Sequence, residues 1–400
     1  MLSIDQARQN IIEAVRGLSE TQTLNLDHAL GRVLAQDITA TINVPPADNS
    51  AMDGYVFRLR DVTPNADGKY QLSVSQTIAA GYAPSDLKAG TAARILTGAE
   101  IPANADTVII QENCNYDAEN STICFDTLPQ LAQNVRPCGQ DIAVGSVVLP
   151  KQRRLKPQDI GLIASIGQNE IEVYRPLRVA LLNTGDELAD PGTPLKPGQI
   201  YNSNQALLSA LLTKLNCELI SLPTVADTLE DTVAALKSAS EQADLILSTG
   251  GVSVGDEDHV KAAVTSLGAL DLWKINMKPG KPLAFGQVCD TPFLGLPGNP
   301  VSAMVTFLMF AAPLIQTMQG QEASKPFSLP MPICFSIDKA RARPELLRVR
   351  MTDKGVERFG NQSSGVLSSL SWANALAFVP DGVTLAVGDS VSVYPLDLLA

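Results

Sequence analysis

The sequence predicts a multidomain α/β plus β protein: a doubly wound α/β domain, a β-rich inserted domain, an N-terminal mixed domain and a C-terminal β-barrel-like domain. Three observations predict it. The chain has 400 residues, more than a single hydrophobic core serves. Between 177 and 320, apolar strand patterns alternate with helical ones, which indicates a parallel sheet covered on both faces. On either side the pattern changes to short strands punctuated by Gly, Pro, Asn and Asp, which indicates smaller β units.

Each element follows from its own pattern. Near the N-terminus Ile4, Ala7, Ile11, Ile12 and Val15 recur at helical spacing, with Asp5 favouring the helix start. A strand is expected over 31–42. Residues 44–141 carry β-rich runs at 70–78, 92–96, 107–111 and 122–125 and read as an insert. The first domain, 1–43, resumes over 142–176 with a strand at 145–149, a helix at 157–165 and a strand at 170–174. The α/β domain, 177–326, comprises strands at 178–183, 219–225 and 243–248, helices at 204–215 and 229–242, and a long apolar helix at 300–318. Residues 327–400 return to strands at 334–337, 346–352, 376–379 and 390–394.

Composition narrows the function. With 30 Lys and Arg against 42 Asp and Glu, the formal charge is −12; a sequence-independent nucleic-acid binder needs the opposite balance. Six cysteines, at 114, 124, 138, 217, 289 and 334, form no CxxC pair, and there are two histidines. A zinc site is therefore not expected, and the thiols read as reduced and mostly buried. No run reads as a membrane span, and the start lacks the basic-then-apolar order of a secretory leader. A cytoplasmic protein is expected. An anion site on so acidic a chain must gather lysines and arginines locally or use a divalent cation.

Six motifs carry chemistry. The run 45–55 is a rigid Pro/Asx loop holding Asp48 and Asp53; taken alone it is turn chemistry. Thr97-Gly98 ends a strand and can offer a hydroxyl and amides to an anion. Thr184-Gly185-Asp186-Glu187 follows an apolar strand, where ligands of such sheets bind, and its acids suit Mg²⁺. Thr249-Gly250-Gly251 with Ser253 follows another; its glycines admit a bulky ligand, and Asp256, Glu257 and Asp258 suit a cation or ribose. In Lys278-Pro279-Gly280-Lys281-Pro282, with Lys274 nearby, two lysines held close repel unless an anion lies between them. Asn299-Pro300-Val301-Ser302 opens the long helix. It reads both as a cap built by Asn299 and as an anion site at the helix's positive end.

These motifs, in this order and spacing, resemble the MoeA family, which includes the E domain of gephyrin. The likeness spans nearly the whole chain and rests on DNSAMDGY, TGG with VSVG, and KPGKP followed by GLPGNPVS. It implies a two-fold homodimer with its active cleft between the α/β domain of one subunit and the insert of the other. It implies molybdenum cofactor biosynthesis: molybdate insertion into adenylylated molybdopterin with AMP release, assisted by Mg²⁺. Molybdopterin adenylyltransferase and cofactor acceptor proteins are the implied partners. Residue by residue, Asp53, Thr97, Asp141, Glu187, Asp227, Asp258, Lys274 and Lys278 match positions tied to activity. Lys278, Lys281, Ser302, Arg343 and Ser369 match the molybdate pocket, and Pro282 adjoins it. Thr184, Gly185, Thr249, Gly250, Gly251 and Ser253 are candidate substrate contacts; Asp186, Glu187, Asp256 and Asp258 are candidate metal ligands. One departure is Gln140, where the family often carries glutamate. Two alternatives stay open: adenylyl transfer, and a non-catalytic anchoring scaffold on the same fold.

Overall fold

The structure is a computed structural model that describes residues 1–220, 222, 225, 228–250, 259–322 and 325–399. Helix Ile4–Glu13 starts at a capping box: Ser3 Oγ accepts from Gln6 N at 3.2 Å, and Ser3 N donates to Gln6 Oε1 at 3.0 Å. Its buried face, Ala7 and Ile11, packs into the core around the long helix Pro300–Met318. The N-terminal region also holds helix Pro157–Ser165 and two antiparallel ribbons, Thr21–Asn25 with Glu170–Tyr174 and Ile38–Thr39 with Val147–Leu149. The strand expected at 31–42 shrinks to Ile38–Thr39, because Val33 and Leu34 bridge to Arg154 and Val173, two different partners. The ribbon strand Thr21–Asn25 is too polar to stand out in the sequence.

The chain leaves and re-enters this region through one neck, where Val44 N donates to Ile142 O at 2.8 Å. Between them lies a six-stranded mixed sheet with an apolar core on each face.

Four parallel strands then form one side of a second six-stranded sheet, in the order Glu218–Ile220, Arg178–Asn183, Leu245–Thr249, Thr291–Leu296 from the edge inward. Pro282–Val288 and Gly268–Lys274 extend it as an antiparallel edge. Helices Ser203–Lys214 and Pro300–Met318 share one core with the sheet, and Leu229–Gln242 and His259–Leu267 share the other. Leu245–Thr249 is buried throughout, as a strand covered on both faces must be. Pro300–Met318 has mean hydropathy 1.7 and is long and apolar enough to cross a membrane, but 83% of its most apolar window is buried inside the protein. It is therefore a core helix here. Phe307–Ala311 within it has π-helical geometry.

The C-terminal unit is a five-stranded sheet beginning with Leu329–Pro332 at its edge. Past that strand, Ile333 bridges to Val356 and Cys334 N donates to Val356 O at 2.9 Å, curling the sheet toward closure. The strand expected at 334–337 thus forms earlier in the chain. Pro330 and Pro332 hid it, and an edge position accommodates them because only one side needs donors.

Candidate active site

From Arg178–Asn183 the chain passes to Glu218–Ile220 on one side and then to Leu245–Thr249 on the other. The crevice beyond these carboxyl ends is the sheet's switch point, where such folds bind ligands. A cleft of about 410 Å³ opens there. Thr184, Thr249 and Gly250 line it from the strand ends, Glu187, Tyr201 and Asn204 from the connection to the next helix, and Gly365 and Leu367 from the C-terminal unit.

Its base is tied by side-chain amides. Thr249 Oγ1 donates to Asn183 Oδ1, and Asn183 Nδ2 donates to Gln205 Oε1. Gly250, at φ +84°, turns the chain so that its N–H reaches Leu296 O at 3.1 Å. Asn204 Nδ2 donates to Gly298 O at 2.7 Å, while its buried Oδ1 has no partner. Asn204 and Tyr201 were missed in the sequence because an isolated Asn or Tyr carries no motif.

The long helix opens on this cleft. Asn299 occupies the N-cap position but makes no side-chain capping bond; Val301 N instead donates to Ser364 O of the C-terminal unit at 3.1 Å. Ser302 is buried in the first turn. The lysine turn is closed by Ile275 N donating to Lys281 O at 2.8 Å. It lies against the same helix, since a Cβ on Gly280 would come within 2.5 Å of Thr306 Oγ1. Lys274, Lys278 and Lys281 are exposed, and Pro282 is half-buried.

Lys278 differs from expectation. Its Nζ donates to Glu345 Oε1 at 2.8 Å, so a carboxylate, rather than a bound anion, already answers its charge. Arg343 Nη1 reaches Met277 O in the same turn at 3.4 Å. Ser369 is fully buried: its Oγ donates to Val366 O at 2.6 Å and accepts from Arg348 Nε at 3.1 Å. It supports the loop from which Gly365 and Leu367 face the cleft. Arg348, 1% exposed, also donates to Ser363 O at 3.0 Å. Burial pushes its pKa down to about 10, and the nearby Glu345 carboxylate works the other way.

Asp53 and Thr97 meet elsewhere, in the insert. Thr97 N and Oγ1 both donate to Asp53 Oδ1 at 2.7 Å, and these bonds hold the carboxyl below its usual range, with Arg94 adding to the effect. Asp141 is exposed at the neck, its N–H bonded to Val44 O at 2.9 Å. No residue of 44–141 is among those lining the switch-point cleft. Asp227, Gly251, Ser253, Asp256 and Asp258 lie outside the described residues.

Asp186 and Glu187 follow the first strand end. Gly185, at φ +138°, permits the Glu187 carboxylate to fold into space that a side chain at 185 would fill. Among the described residues no cluster of three or more His, Cys, Asp or Glu is placed to hold a metal. Two adjacent hard oxygen donors do fit Mg²⁺, which takes one or two carboxylates and completes its shell with phosphate oxygens and water.

Fold and cleft define a multidomain protein whose doubly wound domain is built to receive a ligand at its switch point, flanked by two β-rich units. Residues 2–167 match the MoeA N-terminal region (domain I and II), 180–317 a probable molybdopterin binding domain, and 332–396 the MoeA C-terminal region (domain IV). Molybdopterin molybdenumtransferase of Haemophilus influenzae is 39% identical over 100% of both chains. That of a Nostoc species is 36% identical over 97% of this chain and 92% of its own. A molybdopterin biosynthesis moeA protein of Pyrococcus horikoshii superposes with TM-score 0.85 at 26% identity, covering 99% of this chain and 100% of that one. The chain belongs to the MoeA family.

Proposed function

We propose that this protein is a molybdopterin molybdenumtransferase: it transfers molybdate onto the dithiolene of adenylylated molybdopterin, releasing AMP and yielding molybdenum cofactor. What carries this reading is one cleft at the switch point, lined by the Thr249–Gly250 bend and the start of the long helix, with the Lys278–Lys281 turn packed through Gly280 against that same helix. Amides and a helix N-terminus suit phosphate, and ammonium groups suit a tetrahedral oxyanion.

In this reading Thr184, Thr249 and Gly250 receive the nucleotide phosphate. Lys278, Lys281, Ser302 and Arg343 hold molybdate while the dithiolene sulfurs displace oxo groups, which take up the thiol protons and leave as water. Lys274 and Lys278 supply fixed positive charge where oxyanion character develops. Asp186 and Glu187, with acids of 256–258, would hold Mg²⁺, which supplies charge neutralisation at the phosphorus.

Asp53, Thr97 and Asp141 act from the partner of a two-fold homodimer. What supports this is their separation from their own cleft together with the ordered Asp53–Thr97 pair. Molybdopterin adenylyltransferase would supply the substrate, and the setting is cytoplasmic.

The test is incubation of the purified protein with adenylylated molybdopterin and molybdate. AMP appearing only when molybdate is present is the expected result. Adenylyl transfer from ATP to molybdopterin with release of pyrophosphate would replace this reading with an adenylyltransferase, and silence in both assays with a scaffold.

A further inference from the structure

The Lys278–Glu345 pair joins two units of the protein. Lys278 stands in the turn between the α/β domain's edge strands, and Glu345 opens the C-terminal strand Glu345–Thr352. Their backbones are zipped on both sides: Lys278 N donates to Pro344 O at 2.9 Å, and Leu346 N donates to Lys278 O at 2.8 Å. The side chains are unequal. The Lys278 side chain is 50% exposed, but that of Glu345 only 9%. The ammonium is thus held from behind by a buried carboxylate and open in front.

An ammonium has three N–H donors, and Glu345 takes one. The same carboxylate lies 4.0 Å from Arg341 Nε and acts on buried Arg348. One negative charge therefore sits within a group of cations at the edge of the proposed oxyanion pocket. It aims Lys278, and it also repels any anion arriving there, because charges a few ångströms apart interact appreciably even in a polar protein surface.

We infer that Glu345 is a positioning residue for the transfer reaction. Its hydrogen bond aims two of the Lys278 donors at molybdate, and its charge keeps the resting pocket from holding oxyanions so tightly that turnover slows. This rests on the proposed function above. Two substitutions separate the effects. Glu345→Gln keeps the shape and the acceptor oxygen but removes the charge. Glu345→Asp keeps the charge but falls one methylene short of Lys278.

The experiment combines steady-state AMP release at varied molybdate with calorimetric titration of the resting protein by molybdate alone and by sulfate. For Glu345→Gln the expected result is tighter binding of both anions, by about threefold or more. KM for molybdate and kcat should fall together, as they do when the ground state is stabilised in preference to the transition state. Glu345→Asp should lower kcat about tenfold, as misaimed groups do, with KM nearly unchanged. A residue that merely supports the fold would move both variants the same way. Unchanged or weaker anion binding in Glu345→Gln, or the same kinetic pattern in both variants, overturns the inference. Should one variant not fold, the other retains its own expected split. The calorimetric arm needs no pterin substrate, so a protein that fails to turn over yet shows the Gln effect refutes the proposed reaction and leaves the role of Glu345 at the anion pocket standing.

Discussion

Single residues decide how tightly the units are tied. Asp244 accepts from Arg175 Nη1 at 2.6 Å, from Arg178 Nη2 at 3.0 Å and from Arg178 N at 2.8 Å. Burial pushes its carboxyl up, but these bonds outweigh burial and bring the pKa down to about 2. A depressed carboxyl contributes stability that is full above the unfolded value near 3.8 and is lost as pH falls through about 2. Asp244→Asn should therefore cost about 2 kcal/mol at neutral pH, and urea melts of variant and wild type should converge as pH drops through that window. Gly280 is a second such residue. At φ +99° and pressed on Thr306, it has no room for a methyl group. Gly280→Ala should destabilise by about 1–3 kcal/mol and slow AMP release by displacing Lys278 and Lys281; wild-type kinetics in a folded Gly280→Ala protein would show that the turn need not sit on the helix.

Among elements, the loop around 361–369 is shaped by one buried guanidinium. Arg348 holds Ser363 O and Ser369 Oγ, while Gln362 accepts from Arg348 N and donates to Arg348 O, both at 3.0 Å. That loop presents Ser364 O to the long helix and Gly365 and Leu367 to the cleft. Arg348→Met keeps the apolar stem but removes every one of the side chain's donors. Faster hydrogen exchange at Val301 and across 363–369, with the strand Ala375–Val379 unaffected, is the expected outcome; uniform exchange changes would instead signal global loosening. Helix and strand existence was largely legible in the sequence: 229–242 and 122–125 form as their patterns predict. Elements without a clean period were not legible. Thr21–Asn25 is polar, Leu329–Pro332 carries two prolines, and the helix Ser368–Trp372, which buries Ser369, is too short to show a period.

At the scale of the molecule, no residue of the insert that carries Asp53 and Thr97 lines the cleft within one chain, which supports the dimer proposed as the active unit. Mixing Asp53→Asn with Lys278→Gln protein, each inactive alone, tests it. Subunit exchange should restore roughly a quarter of wild-type AMP release, because half the dimers would then carry one intact site of two. No recovery after demonstrated exchange would place both residues in the same subunit's site.

By itself the sequence determined the fold class, because periodicity and turn residues are local properties written within a few positions of one another. Only the tertiary structure decided which groups neutralise and aim one another. Glu345 lies 67 positions from Lys278 and Asn183 66 from Thr249, and nothing local marks either pair. Their partnership exists only because strand pairing and helix packing bring distant backbone into register, and burial then makes an unpaired charge or amide too costly to leave.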